Sequence, residues 1–271
     1  VRPIIALLTD FGTKDSYVAA VKGVLLSGCP DATLVDISHE VAPFDVLEAA
    51  LILESVYRFF PGRTVFLVVV DPEVGSARRG IALQADGRRF VGPDNGILAL
   101  VLDAETEVEM REIVLRDRPK REVAPTFHAR DVFAPVATLL ANGAALAEVG
   151  PPLHDPIGLS VPPVAPDAED NWIATVIHVD RFGNLVTNVT RRRLEQIGGD
   201  SRQDLRLAAF VGGCELRLVN TYADVRRGDA AVLLGGGGRL EVAVRRGSAA
   251  LRFGLTTGDV FHFRCVSSGG N

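Results

Sequence analysis

Ile4-Ile5-Ala6-Leu7-Leu8-Thr9-Asp10 stands almost at the start of the chain, and its reading decides the fold. The run is apolar through Leu8 and too short for a core helix, the pattern of a strand buried on both faces of a parallel sheet. Working outward, Asp15 or Ser16 can cap a helix whose apolar face is Val18, Val21 and Leu25. Residues 33–37 are the next strand candidate, and a helix over roughly 46–60 is stopped by Pro61-Gly62. A further buried strand is predicted at 64–70. Residues 81–84 and 89–92 flank Asp86-Gly87, a hairpin signal. Residues 96–102 read as helical, and Asp131 is placed to cap a helix running to Leu140. Strands alternating with helices predict an α/β fold.

The texture changes between 151 and 170, where Pro151, Pro152, Pro156, Pro162, Pro163 and Pro166 forbid a regular helix or central strand. Short β-rich runs follow at 172–179, 205–210, 215–219, 230–234, 239–244 and 260–264, punctuated by Gly and Asp. The run Gly235-Gly236-Gly237-Gly238 falls between two of them and reads as a hairpin turn. The expected division is a Rossmann-like α/β domain over 1–150, a proline-rich linker over 151–170 and a small antiparallel β-barrel domain over 171–271.

Composition narrows the function classes. Apolar residues make up 47% of the 271 positions and charged residues 23%, enough for a full-sized core. A formal charge of −5 argues against a nucleic-acid partner, which requires a basic face. No stretch approaches the roughly 20 apolar residues of a membrane span. The segment from Val1 onward has no basic, apolar, small-residue signal pattern, and Cys29, Cys214 and Cys265 form no CxxC pair. Three unpaired thiols with buried structural roles, in a reducing cytoplasm, are the expectation. The five histidines show no HxH or HExxH spacing, so no metal is expected. The absence of GxGxxG opening a helix after a strand, of GxxxxGK[ST] and of GxSxG argues against nicotinamide, flavin and P-loop chemistry, and no cofactor is expected.

Three acidic residues directly follow apolar strands: Asp10 after Leu7-Leu8-Thr9, Asp71 after Val68-Val69-Val70, and Asp180 after Ile177-His178-Val179. Ligands of open α/β sheets bind beyond the carboxyl ends of the strands, and a carboxylate there can accept hydrogen bonds from a diol or pair with an amino group. The plainer alternative for each is a turn or cap aspartate. The loop Asp71-Pro72-Glu73-Val74-Gly75-Ser76-Ala77-Arg78-Arg79-Gly80 puts a carboxylate and two guanidinium groups into one tight segment, whose plainer reading is a surface salt bridge. Thr126-Phe127-His128-Ala129-Arg130-Asp131 sets a histidine just ahead of a helix start, where the positive helix end favours neutral imidazole.

These segments together resemble the S-adenosylmethionine hydroxide adenosyltransferases, relatives of the fluorinase and chlorinase. The matching pieces are Leu8-Thr9-Asp10-Phe11-Gly12, the loop from Val70-Asp71-Pro72 to Arg79, Gly92-Pro93-Asp94-Asn95-Gly96 and Thr126-Phe127-His128-Ala129-Arg130-Asp131. They continue with Asp180-Arg181-Phe182-Gly183-Asn184, Thr221-Tyr222-Ala223-Asp224 and Leu240-Glu241-Val242-Ala243, in order across nearly the whole chain. The resemblance implies hydrolysis of S-adenosylmethionine to adenosine and methionine by water attacking ribose C5′, in a homotrimer with sites between neighbouring subunits. It assigns Asp71, Arg78 and His128 to the set that orients the water. Asp10 is implied to hold the ribose hydroxyls, with Phe44 and Phe127 around the sugar. Ser16 and Asp180 are implied to meet the methionine end, and Asn184 and Tyr222 the adenine, whose edge is read by backbone near Val244 and Arg246. Gly235-Gly236 departs from the Asn-Ser usual at that turn, leaving only backbone amides for the methionine carboxylate. The competing functions are a halide-dependent transferase, which the Asp71, Arg78 and His128 set and the short Asp86-Gly87 turn disfavour, and a non-catalytic adenosine or S-adenosylmethionine binding module.

Overall fold

In the computed structural model, which describes residues 2–114, 123–169, 171–198 and 206–266, the opening run forms β1 (Ile4–Thr9). It is followed by α1 (Tyr17–Gly28), β2 (Thr33–Ser38), α2 (Val46–Val56), β3 (Val65–Val69), β4 (Gly80–Ala85), β5 (Arg88–Pro93), α3 (Ala99–Ala104), β6 (Val108–Glu112) and α4 (Ala134–Ala141). These belong to the first of two compact units, Val1–Leu159 and Ser160–Asn271. Their strands form one sheet in the order β2-β1-β3-β5-β4-β6; β1 pairs in parallel with β2 and β3, β3 with β5, and β4 runs antiparallel to β5 and β6.

Alternation along the central strands sorts the core into two layers. Ile5, Leu7, Val65, Leu67 and Val69 pack with Val21 and Leu25 of α1 and with Val136, Ala137 and Leu140 of α4. Ala6, Leu8, Phe66, Val68 and Val70 pack on the opposite face with Ala49 and Leu53 of α2. Burial on both faces explains the uninterrupted apolar runs, and each such large side chain contributes about 1.5–3 kcal/mol. The hairpin at Asp86-Gly87 has positive φ at both positions, 46° and 69°, as a type I′ connection requires.

Several boundaries differ from expectation. α2 ends at Val56, and Tyr57–Phe59 continue as a tighter 3₁₀ turn before Pro61. The helix expected over 96–102 begins at Ala99, after a turn in which Asn95 Oδ1 accepts from the Ile97 amide. Ser16 occupies the N-terminal flank of α1 but makes no capping bond, because its backbone is already helical (φ −80°, ψ 0°) rather than extended. Asp131 is not the cap of the helix through Leu140. A π-type turn over Ala129–Phe133 precedes α4, with His128 at its N-terminal flank and Asp131 inside its first turn. Val108–Glu112 was not expected as a strand; it is the polar edge β6.

The second unit contains β7 (Trp172–Val179), β8 (Leu185–Thr190), α5 (Arg191–Gly198), β9 (Arg206–Val211), β10 (Cys214–Arg217), β11 (Ala230–Leu234), β12 (Arg239–Val244), α6 (Ala249–Phe253) and β13 (Val260–Val266). Its strands form a seven-stranded antiparallel sheet in the order β10-β9-β13-β7-β8-β12-β11. An isolated bridge between Leu218 and Val232 brings its two ends together, so the sheet is nearly closed around Val176, Leu185, Val242 and Phe263. Leu205, where the sequence starts one of these strands, and Asp170, where it ends the linker, lie outside the described residues. Residues 151–169 carry only isolated bridges. All three cysteines are free, but Cys214 is exposed on the end strand β10, which corrects the expectation that each is buried. Among the described residues no helix is long and apolar enough to cross a membrane.

Candidate active site

The chain leaves β1 toward β2 on one side and returns to β3 on the other, so the loops after β1 and β3 part and open a crevice at the carboxyl ends of those strands. Asp10 directly follows β1, and Asp71 lies two residues beyond β3. A cavity of about 390 Å³ opens there, lined by Asp10, Phe11, Tyr17, Pro43, Phe44, Asp71, Phe127 and His128 among others. Small-molecule sites run from about 300 to 1,000 Å³.

Arg78 joins the two loops. Its Nη2 donates to Asp71 Oδ2 at 2.6 Å and to His128 Nδ1 at 3.1 Å, and its Nη1 donates to the Arg79 carbonyl oxygen at 2.9 Å. The pair is not the surface salt bridge of the plainer reading but a buried one, with the Arg78 and Asp71 side chains 3% and 6% exposed. The guanidinium carbon also lies 5.2 Å from the centre of the Phe133 ring. Asp71 Oδ1 and Arg78 Nε are buried and find no hydrogen-bond partner among the described residues. Burial pushes the Asp71 carboxyl above its ordinary value against the lowering pull of Arg78. Burial, and then the Arg78 charge, hold the His128 imidazole below its ordinary value. A guanidinium only donates, so Nδ1 of the neutral ring accepts from Arg78 and the ring proton resides on Nε2.

Asp10 Oδ2 accepts from the Phe44 amide at 3.0 Å, across 34 residues of sequence. Phe44 sits in the left-handed region at φ 69° with its side chain largely in solvent. A bulky residue there is strained, and such strain clusters at functional sites. Phe127 packs edge-on against Phe11 and Tyr17, with ring centroids 6.0 and 5.4 Å away, and Arg130 covers it at 4.8 Å. Arg130 pairs with Asp131, whose Oδ2 accepts from the Ala124 amide at 3.0 Å, so Asp131 ties down the loop that presents Phe127 and His128. Ser16 is exposed and lies outside the cavity lining. Tyr17, next to it, lines the cavity and was missed; its one signal is a large aromatic at a helix start beside a strand-end loop.

The remaining candidates lie in the second unit. Asp180 Oδ1 accepts from the Phe182 and Asn184 amides at 2.9 and 2.8 Å, and Oδ2 accepts from Asn184 Nδ2 at 2.8 Å. Asp180 therefore holds the β7–β8 turn together, in an antiparallel sheet rather than at the end of a parallel strand. Tyr222 donates a short hydrogen bond to Glu241 Oε1. Glu241 is buried in β12, its carboxyl raised by desolvation, and a Cβ on Gly235 would collide with its Oε2. Sequence reading missed Glu241 because one acid inside an apolar strand looks like an outward-facing position. Val244 is buried at the end of β12, and Arg246 is exposed with φ 57°. Among the described residues no group of three or more His, Cys, Asp or Glu side chains is placed to hold a metal ion.

A parallel-sheet crevice with a buried carboxylate, guanidinium and imidazole defines an α/β protein with an enzyme-like site for a small ligand. The family model for the SAM hydroxide adenosyltransferase N-terminal domain matches residues 5–150, and that for the C-terminal domain matches residues 174–262. The chain belongs to this family. A protein of Salinispora tropica named (R)-S-adenosyl-L-methionine hydrolase is 40% identical over 260 residues, covering 95% of this chain and 96% of its own. A protein named fluorinase from an Actinoplanes species is 32% identical over 285 residues, with 95% and 96% covered. Among solved structures, an uncharacterised conserved protein from Thermotoga maritima superimposes with a TM-score of 0.84 at 36% identity, covering 96% of this chain and 99% of that one.

Proposed function

We propose that this protein hydrolyses S-adenosyl-L-methionine to adenosine and L-methionine. The observation that carries the reading is the buried Asp71–Arg78–His128 contact at the wall of the crevice, in a chain 40% identical to a named hydrolase of that substrate. The water oxygen forms a bond to C5′ as the C5′–S bond breaks, and its electron pair leaves on sulfur, turning sulfonium into neutral thioether. The leaving group needs no proton; the water must lose one. Holding the weak nucleophile in line with the departing sulfur removes part of the entropic barrier.

The tautomer divides the labour. His128 offers Nε2–H as a donor that orients the oxygen, while Asp71 Oδ1, made more basic by burial, takes the proton. Arg78 keeps Asp71 ionised enough to act and fixes both partners. Asp10 accepts the ribose hydroxyls beside Phe44 and Phe127. Ser16 and Asp180 serve the methionine end, and Asn184, Tyr222 and the backbone near Val244 and Arg246 serve the adenine. A homotrimer with sites between subunits, working in the cytoplasm, completes the reading.

Turnover in oxygen-18 water, with and without chloride or fluoride, tests it. The label is expected in the 5′-hydroxyl of adenosine at a rate indifferent to halide. A 5′-halogenated nucleoside formed only with halide, or ligand binding without turnover, would overturn the reading.

A further inference from the structure

Gly92-Pro93-Asp94-Asn95-Gly96 is one of the segments on which the family resemblance rests, yet none of its residues lines the cavity. Its hydrogen bonds instead reach both ends of the loop that carries Asp71 and Arg78. Asn95 Nδ2 donates to the Val70 carbonyl oxygen at 2.8 Å, one residue ahead of Asp71. At the far end, the Asp94 amide donates to the Arg79 carbonyl oxygen at 3.0 Å, the same oxygen that accepts Arg78 Nη1 at 2.9 Å. The Asp94 carboxylate, 2% exposed, accepts from Arg79 Nε at 2.9 Å, pairs with Nη2 at 2.7 Å, and takes the Ile157 amide on its other oxygen at 2.8 Å. Gly92 allows the approach, since a Cβ there would collide with the Val68 carbonyl oxygen.

We propose that Asp94 and Asn95 are positioning residues that hold Arg78 against Asp71 and His128 by fixing the backbone at Val70 and Arg79. This rests on the reading that those three groups handle the water. Asn95 sets where the strand releases Asp71. Asp94 sets the Arg79 carbonyl, which in turn aims the Arg78 guanidinium. A guanidinium meeting two partners through one nitrogen tolerates little displacement, because the energy of a buried charged hydrogen bond falls steeply with geometry.

His128 reports on that placement. The charged groups that act on it are Arg78, which lowers its pKa, and Asp71 and Asp131, which raise it. Slackening Arg78 therefore raises the imidazole pKa. Removing the negative charge of Asp94 pushes it the other way, so a rise isolates the displacement of Arg78.

The experiment compares Asp94→Asn and Asn95→Ala with the parent, each shown to be folded by thermal unfolding. It records the His128 titration by NMR in ligand-free protein, turnover of S-adenosyl-L-methionine, and the dissociation constant of adenosine. The expected result is an upward shift of the His128 midpoint and a roughly tenfold to hundredfold loss of turnover, with adenosine affinity retained. Parental titration and turnover in folded variants would overturn the proposal. So would turnover and adenosine affinity falling together with the titration unmoved, the mark of a merely structural role. If Asp94→Asn does not fold, Asn95→Ala decides by the same readouts, because its side chain is only half-buried. A parent that hydrolyses nothing sinks the assigned reaction, while the His128 titration still decides the positioning.

Discussion

Asp71 follows three valines near the end of a parallel strand, whereas Asp180 follows Ile177-His178-Val179 at the end of an antiparallel one. Locally the two look alike. Asp180 spends its carboxylate on its own turn, taking two amides and the Asn184 side chain within four residues of sequence. Asp71 leaves one oxygen without a partner among the described residues and gives the other to Arg78, which also meets His128 from 50 residues away. An antiparallel strand turns straight back and closes on itself. The chain leaving β3 instead passes over its parallel neighbour β5 to reach β4, so the space beyond the end of β3 is open to side chains from remote loops.

The largest expected effect breaks the first of these arrangements. Arg78→Met leaves the Asp71 carboxylate buried and alone, which should cost about 3–5 kcal/mol of stability and abolish turnover. Asp71→Leu combined with Arg78→Met should recover most of that stability without recovering activity. Urea unfolding of the four-protein cycle measures both, and a folded, fully stable Arg78→Met single variant would contradict the burial of the pair.

Next in size is His128→Ala, expected to lower turnover by ~10²–10⁴-fold while adenosine still binds. Parental turnover of the folded variant would return His128 to a packing role. Asp180→Ala sharpens the contrast from the other side. It removes an acceptor from three turn donors and should cost about 1–2 kcal/mol, with loss of affinity at the methionine end rather than loss of the chemical step. A stability loss as large as that of Arg78→Met would erase the distinction between the two aspartates.

The smallest effect is a pH dependence. The folded-state pKa of His128 lies below its ordinary 6.5, so the unfolded chain takes up the proton first. Its contribution to stability is complete above pH 6.5 and is lost as the pH falls through the lower folded value. The unfolding free energy of the parent relative to His128→Gln should therefore decline on acidification through that window and be flat above it. A gap that widens on acidification would reverse the assigned sign.

Much of the fold was legible because strands covered on both faces are apolar almost throughout, as in β3 and in β1 up to its last residue, Thr9. Two strands escaped, for different reasons. In β8, Thr187 donates to the Leu240 carbonyl oxygen and Asn188 bridges the Thr175 amide and the Pro162 carbonyl oxygen, so a buried strand reads as a loop. In β6, exposure at the sheet edge leaves Val-Glu-Met-Arg-Glu without a long apolar run. The candidate site divides in the same way. Asp10 and Asp71 announce themselves by position, but nothing local ties Arg78 to His128; only the family resemblance placed them together. Asp94 and Glu241 were invisible as supports because their roles exist only through contacts with Arg79 and Tyr222.

The ion pair at the crevice also constrains how a lineage carrying it can change. A descendant that loses Asp71 first inherits a cation sealed over an aromatic ring with no counter-charge, and one that loses Arg78 first inherits the converse. Either intermediate spends a large fraction of the 5–15 kcal/mol that typically separates a folded domain from its unfolded chain. Replacing both at once by apolar side chains carries no such penalty. Divergence toward a different nucleophile is thus expected to proceed as a block exchange of the two positions, with single-step intermediates purged for instability before their chemistry is ever tested.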